Sequence, residues 1–167
     1  MAQKRIPVAE DNKVPAAERI ASSIKRLAAT STELKVATGE LGQALSSFDK
    51  ALQTLNLVPA WHKVAGHEDE HGNYWTRDIG YTKVQSEWGI ALRRTRGNEF
   101  SGDHEEEVWR FNAAPHWMQI ESLSKIPDLH EELIKRTEET INKIKAKTVE
   151  ANELATALNA ALIEDAW

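Results

Sequence analysis

Three observations predict an α+β fold: a long antiparallel helical hairpin with heptad patterning, carrying at its tip a small Trp-rich antiparallel sheet of three or four strands and a short helix. Apolar residues recur in a 4-3 spacing near both ends of the 167-residue chain. Between these stretches the apolar spacing changes to two, as on a half-buried strand. Five of the six Trp, Trp61, Trp75, Trp88, Trp109 and Trp117, fall in that middle part, together with both Tyr.

The first helix is expected over residues 15–57, after a flexible segment 1–14. Pro15 suits the first helical position, where its missing N–H is not needed. Ile20, Leu27, Leu34, Leu41, Phe48 and Leu55 recur every seven residues, and Ile24, Ser31, Thr38, Leu45 and Leu52 follow four residues on. The positions beside this seam are small: Ala21, Ala28 and Gly42 on one side, Ala37, Ala44 and Ala51 on the other. Two-stranded coiled coils usually carry charges there, so small residues suggest a wider apolar face and a bundle of more than two helices.

The middle, residues 58–126, reads as a β-rich head. Strands are expected at 60–65, 74–84, 87–96 and 107–112, with turns at His71-Gly72-Asn73 and Gly97-Asn98. Pro115 opens a short helix over 115–125 with Trp117, Ile120 and Leu123 on one face. The second long helix is expected over 127–163, with Asp128 as N-cap and Glu131 as its capping-box partner. Its seam runs through Ile134, Ile141, Thr148, Ala155 and Leu162, with Thr137, Ile144, Ala151 and Leu158 between. Residues 164–167 form a tail.

Composition excludes several functions. With no Cys there is no thiol nucleophile, Cys-based zinc finger, iron–sulfur cluster or disulfide. No 18-residue apolar run exists, so no membrane span is expected. Met1–Glu10 lacks an apolar stretch of the secretory kind, which makes a cytoplasmic address the default. The net charge of −5 argues against general nucleic-acid binding. It divides unevenly: residues 1–56 carry eight basic and six acidic groups, residues 128–167 five and nine. Opposite signs favour helix pairing, although exposed pairs contribute little.

His67-Glu68-Asp69-Glu70-His71 satisfies H-E-x-x-H. Zinc hydrolysis needs that run on a helix, where spacing of four stacks the two imidazoles. Here glycines and strand-like segments flank it, which reads instead as a solvated hairpin loop. His67, His71 and His104, beside the acids of 67–71 and 103–107, are the candidate metal ligands for a divalent ion. Hydrated acidic loops are the plainer reading of both stretches, and no cofactor is expected. Trp88 and Trp109 sit at alternating positions that suit a core, whereas Trp61, Trp75 and Trp117 are candidate surface anchors. Arg93, Arg94 and Arg96 offer an anion or an acidic partner a basic strand end; cross-strand pairing with Glu105, Glu106 and Glu107 is the competing use. No P-loop, G-x-G-x-x-G or G-x-S-x-G pattern occurs.

The reading is therefore a non-enzymatic interaction or assembly protein. It self-associates as a homodimer, such as a four-helix bundle, or as a higher helical bundle. Its seam is built from Ile24, Leu27, Leu34, Leu41, Leu45, Phe48, Ile141 and Ile144. Its head presents Trp61, Trp75, Trp117, Arg93, Arg94 and Arg96 to a protein partner. The alternative is an enzyme or sensor that binds a metal or small molecule through head His, Glu and Arg side chains.

Overall fold

The computed structural model describes residues 15–164, with side chains placed to residue 160. Residues 1–14 and the last three, including Trp167, lie outside the described residues. The elements in order are α1 (Ala16–Gln53), β1 (Ala60–Glu68), β2 (Asn73–Val84), β3 (Glu87–Asn98), β4 (Asp103–Arg110), a 3₁₀ turn (Phe111–Ala113), α2 (His116–Leu123) and α3 (Ile126–Glu164). The fold is α+β, with three α-helices and one four-stranded antiparallel sheet in the order β1-β2-β3-β4. The chain forms two compact units, one ending at Leu41 and one beginning at Gly42.

In the first unit, α1 is a single exposed helix. Ile20, Ile24, Leu27 and Leu34 are all exposed. Ser and Thr are poor helix formers, and several here turn their hydroxyls back onto the helix. Thr30 donates to the Arg26 carbonyl and Thr38 to that of Leu34, at 3.0 and 2.7 Å.

In the second unit, strict alternation puts Ile79 and Tyr81 of β2 and Ile90 and Leu92 of β3 on one face, all buried. α3 packs on β1 and β2, and α2 on β3. Met118 of α2 and Leu129 and Leu133 of α3 are fully buried, and Leu45 and Leu52 of α1 and Phe111 are buried as well. Within the expected seam, Leu45 thus belongs to the core and Leu41 and Phe48 are half-buried, while Ile141 and Ile144 are exposed.

The opposite sheet face is built around small residues. Trp61 of β1 lies over Gly80 of β2, where a Cβ would fall inside the indole and against the Ala60 carbonyl. Tyr74 crosses Gly97 in the same way to reach β4. Each glycine is the space that lets a large neighbour lie flat across the sheet.

Three local expectations are corrected. β4 begins at Asp103, not 107, so the acidic run is strand; Glu105 and Glu107 lie opposite arginines of β3, Glu106 approaches Arg93, and paired charges are tolerated on a pleated surface. β1 continues to Glu68, so His67 is a strand residue. α3 begins at Ile126, so Asp128 is in its first turn rather than at its cap, where it accepts from Lys125 Nζ at 3.0 Å. That ion pair, with His62 Nε2 at 3.5 Å, holds the Asp128 carboxyl below the usual carboxylate range.

Candidate functional site

Trp75 and Arg77 share a face of β2 with Ile79 and Tyr81, two and four residues further in. The helices cover the inner pair and leave the outer pair at the margin. α2 turns Met118, Gln119 and Ser122 inward, which directs Trp117 and Ile120 outward one turn apart. The buried Gln119 amide is satisfied by the Ala114 carbonyl at 2.8 Å.

The Arg77 guanidinium then lies between two indoles, 4.4 Å from the Trp75 ring centre and 5.1 Å from that of Trp117. Its Nη2 donates to Glu121 Oε1 at 2.9 Å, one helical turn beyond Trp117. Cation–π contact and an ion pair thus fix the same side chain, and both rings are held in place. Trp75 and Trp117 remain 37% and 47% exposed, and Ile120 beside them is also exposed. Rigid, half-exposed Trp flanking an Arg is the composition that dominates protein-binding hot spots.

The row across the sheet at Trp75 is His67, Trp75, Arg96 and Glu105. Arg96 Nε donates to Glu105 Oε2 at 2.6 Å, which holds the Glu105 carboxyl below its usual range. Arg94 bonds Glu107, and Arg93, on the other face, bonds Asp78 at 3.1 Å while stacking over Trp61 at 4.4 Å. The basic strand end is therefore charge-paired across the sheet. Of the six expected surface residues, Trp75, Trp117, Arg94 and Arg96 belong to one face; Trp61 and Arg93 form a separate stack on the other.

Trp88 and Trp109 are less buried than a core position implies. Trp88 is exposed but stacked on Tyr81, with ring centres 5.6 Å apart, and Trp109 is half-buried near the Arg94 guanidinium.

His67, His71 and His104 all lie at the end of the sheet formed by the β1–β2 and β3–β4 turns. His67 and His104 both line one open groove there. Asp69 caps the first turn, accepting from the His71 and Asn73 N–H groups at 2.9 Å each, so the H-E-x-x-H run is strand and turn. His104 Nδ1 is 2.9 Å from the Tyr74 hydroxyl. Among the described residues no three His, Cys, Asp or Glu side chains are grouped to hold a metal. An open groove of about 790 Å³ lies here, with Lys63, Tyr74, Asn98 and His104 among its walls.

Arg77, Glu121 and Ile120 carry the Trp surface, yet composition points mainly to the tryptophans. Two spacings do mark the others: Trp75-x-Arg77, one strand face, and Trp117-x₃-Glu121, one helical turn.

No protein-family model, curated protein or solved structure matches the chain. Among the described residues no helix is long and apolar enough to cross a membrane.

Proposed function

We propose that this chain is a non-enzymatic interaction and assembly protein that self-associates through its long helices and presents the Trp75–Arg77–Trp117 surface to a protein partner. The observation that carries the reading is the exposure of heptad apolar positions on both long helices: Ile20, Ile24, Leu27 and Leu34 of α1, and Ile134, Ile141, Ile144 and Leu158 of α3. Apolar stripes of this length mark association surfaces. A homodimer that closes a four-helix bundle would cover them, and the polar seam positions Ser31, Thr38, Thr137 and Thr148 would then help select register. The head supports the second half of the reading through its two exposed indoles.

Light scattering of the full chain from low to high micromolar concentration tests this. The expected result is a concentration-dependent dimer or higher species that Leu27→Asp with Leu34→Asp reduces to monomer while helicity is kept. A strict monomer at high micromolar concentration overturns it.

A further inference from the structure

We propose that the part of α1 from Ala16 to Leu41 pairs antiparallel with the same segment of a second copy. This rests on the self-association reading and specifies which surfaces meet.

In an antiparallel heptad pair, each position of one seam series faces a position of the other series in the partner. Here Ile24 would face Leu34 of the second copy, Leu27 would face Ser31, and Ile20 would face Thr38. All three pairings share one two-fold axis, at Ala29. The four large residues of this seam are 53–70% exposed.

The charges select the direction. Arg19, Arg26, Glu33 and Glu40 form a stripe at seven-residue spacing, basic in its first half and acidic in its second. About the same axis, antiparallel pairing sets Arg19 near the level of Glu40 of the second copy and Arg26 near that of Glu33. Two-fold symmetry makes each pair twice. Parallel pairing would put the two stripes on opposite flanks of the pair, where none of these contacts forms. Between stripe and seam stand only Ser23, Thr30 and Ala37, over which long arginine side chains can lie to reach across. The charge stripe is thus self-complementary in the antiparallel direction only.

The chain has no Cys, so single-Cys variants report without background. Ala28→Cys lies next to the axis, and its two copies come within reach of a short bismaleimide cross-linker. Ala21→Cys is the control: antiparallel pairing about Ala29 puts its copies roughly 24 Å apart along the axis, at ~1.5 Å per residue. The expected result is a covalent dimer from Ala28→Cys and none from Ala21→Cys. Reversing Arg19 and Arg26 to Glu should weaken the dimer about tenfold or more, and adding Glu33→Arg and Glu40→Arg should restore it. Cross-linking of both variants means a parallel pair and overturns the proposal. A dimer by light scattering that neither variant cross-links overturns α1–α1 pairing and leaves self-association standing. A strict monomer overturns both.

Discussion

Asp49 Oδ1 of α1 accepts the Ile90 N–H of β3 at 2.7 Å. β4 ends opposite Ala91, so the first residues of β3 have no strand on that side. Side chains one helical turn apart fill the gap: Asp49 takes the Ile90 N–H, and Gln53 Nε2 donates to the Trp88 carbonyl at 2.7 Å. Arg110, itself paired with Glu87, approaches Asp49 at 4.0 Å.

Burial raises the Asp49 carboxyl above its ordinary value, against the lowering effects of the Ile90 hydrogen bond and Arg110. A carboxylic acid with a raised folded-state pKa is less stabilising once ionised, so its contribution falls as pH rises through the range above the unfolded value. Asp49→Asn keeps the acceptor without the charge. It should match or exceed the parent in stability at pH 7, with the difference shrinking toward pH 3 in denaturant titrations. Asp49→Ala leaves a strand N–H unpaired and should cost about 1–3 kcal/mol.

Glycines separate by what surrounds them. Gly80→Ala and Gly97→Ala drive a methyl into the Trp61 ring and against the Tyr74 hydroxyl respectively. Each should lower stability by about 1–3 kcal/mol. Gly39, in α1, has nothing within 4 Å of an added Cβ, and Gly39→Ala should raise helix stability by about 0.5–1 kcal/mol. Thermal melts followed by circular dichroism and Trp fluorescence measure all three.

Asp69 holds the β1–β2 turn. Its carboxyl lies below the ordinary range, chiefly through the Asn73 side-chain amide and then the Asn73 and His71 N–H groups. A lowered pKa means that the turn is supported above the unfolded value, ~3.9, and loses that support as pH falls through the folded one. Hydrogen exchange should show Asn73 protected at pH 6 in the parent and less so in Asp69→Ala.

Arg77 should be the pivot of the Trp surface. Arg77→Ala removes the group between the two indoles and leaves Glu121 without its partner, at a cost of about 1–2 kcal/mol. The Trp fluorescence of the folded protein should shift as Trp75 and Trp117 gain freedom. An unchanged spectrum would show that the indoles are held by other contacts.

Periodicity alone marks both long helices and the strands β2, β3 and the end of β4, because a repeat of three and four residues or of two follows directly from backbone geometry. Cross-strand pairing of the arginines with Glu105 to Glu107 was legible as the use competing with an outside partner, whereas the Arg93–Asp78 bond was not. Strand ends were harder. β4 starts four residues earlier than alternation shows, because Glu105 to Glu107 read as hydrated until β3 sets arginines against them.

The amino-acid sequence by itself determined the α+β class, the heptad spacing of apolar residues and the exclusion of thiol chemistry, since these depend on local spacing and residue type. Only the tertiary structure decided that Arg77 contacts both Trp75 and Trp117, that Trp61 faces the opposite way, that His67 and His104 line one groove and that Asp49 completes the edge of β3. Most of those are relations between distant residues, Asp49 and Ile90 being 41 positions apart and Arg77 and Glu121 44, set by strand register and by the helix that lies across it, and no local pattern encodes them.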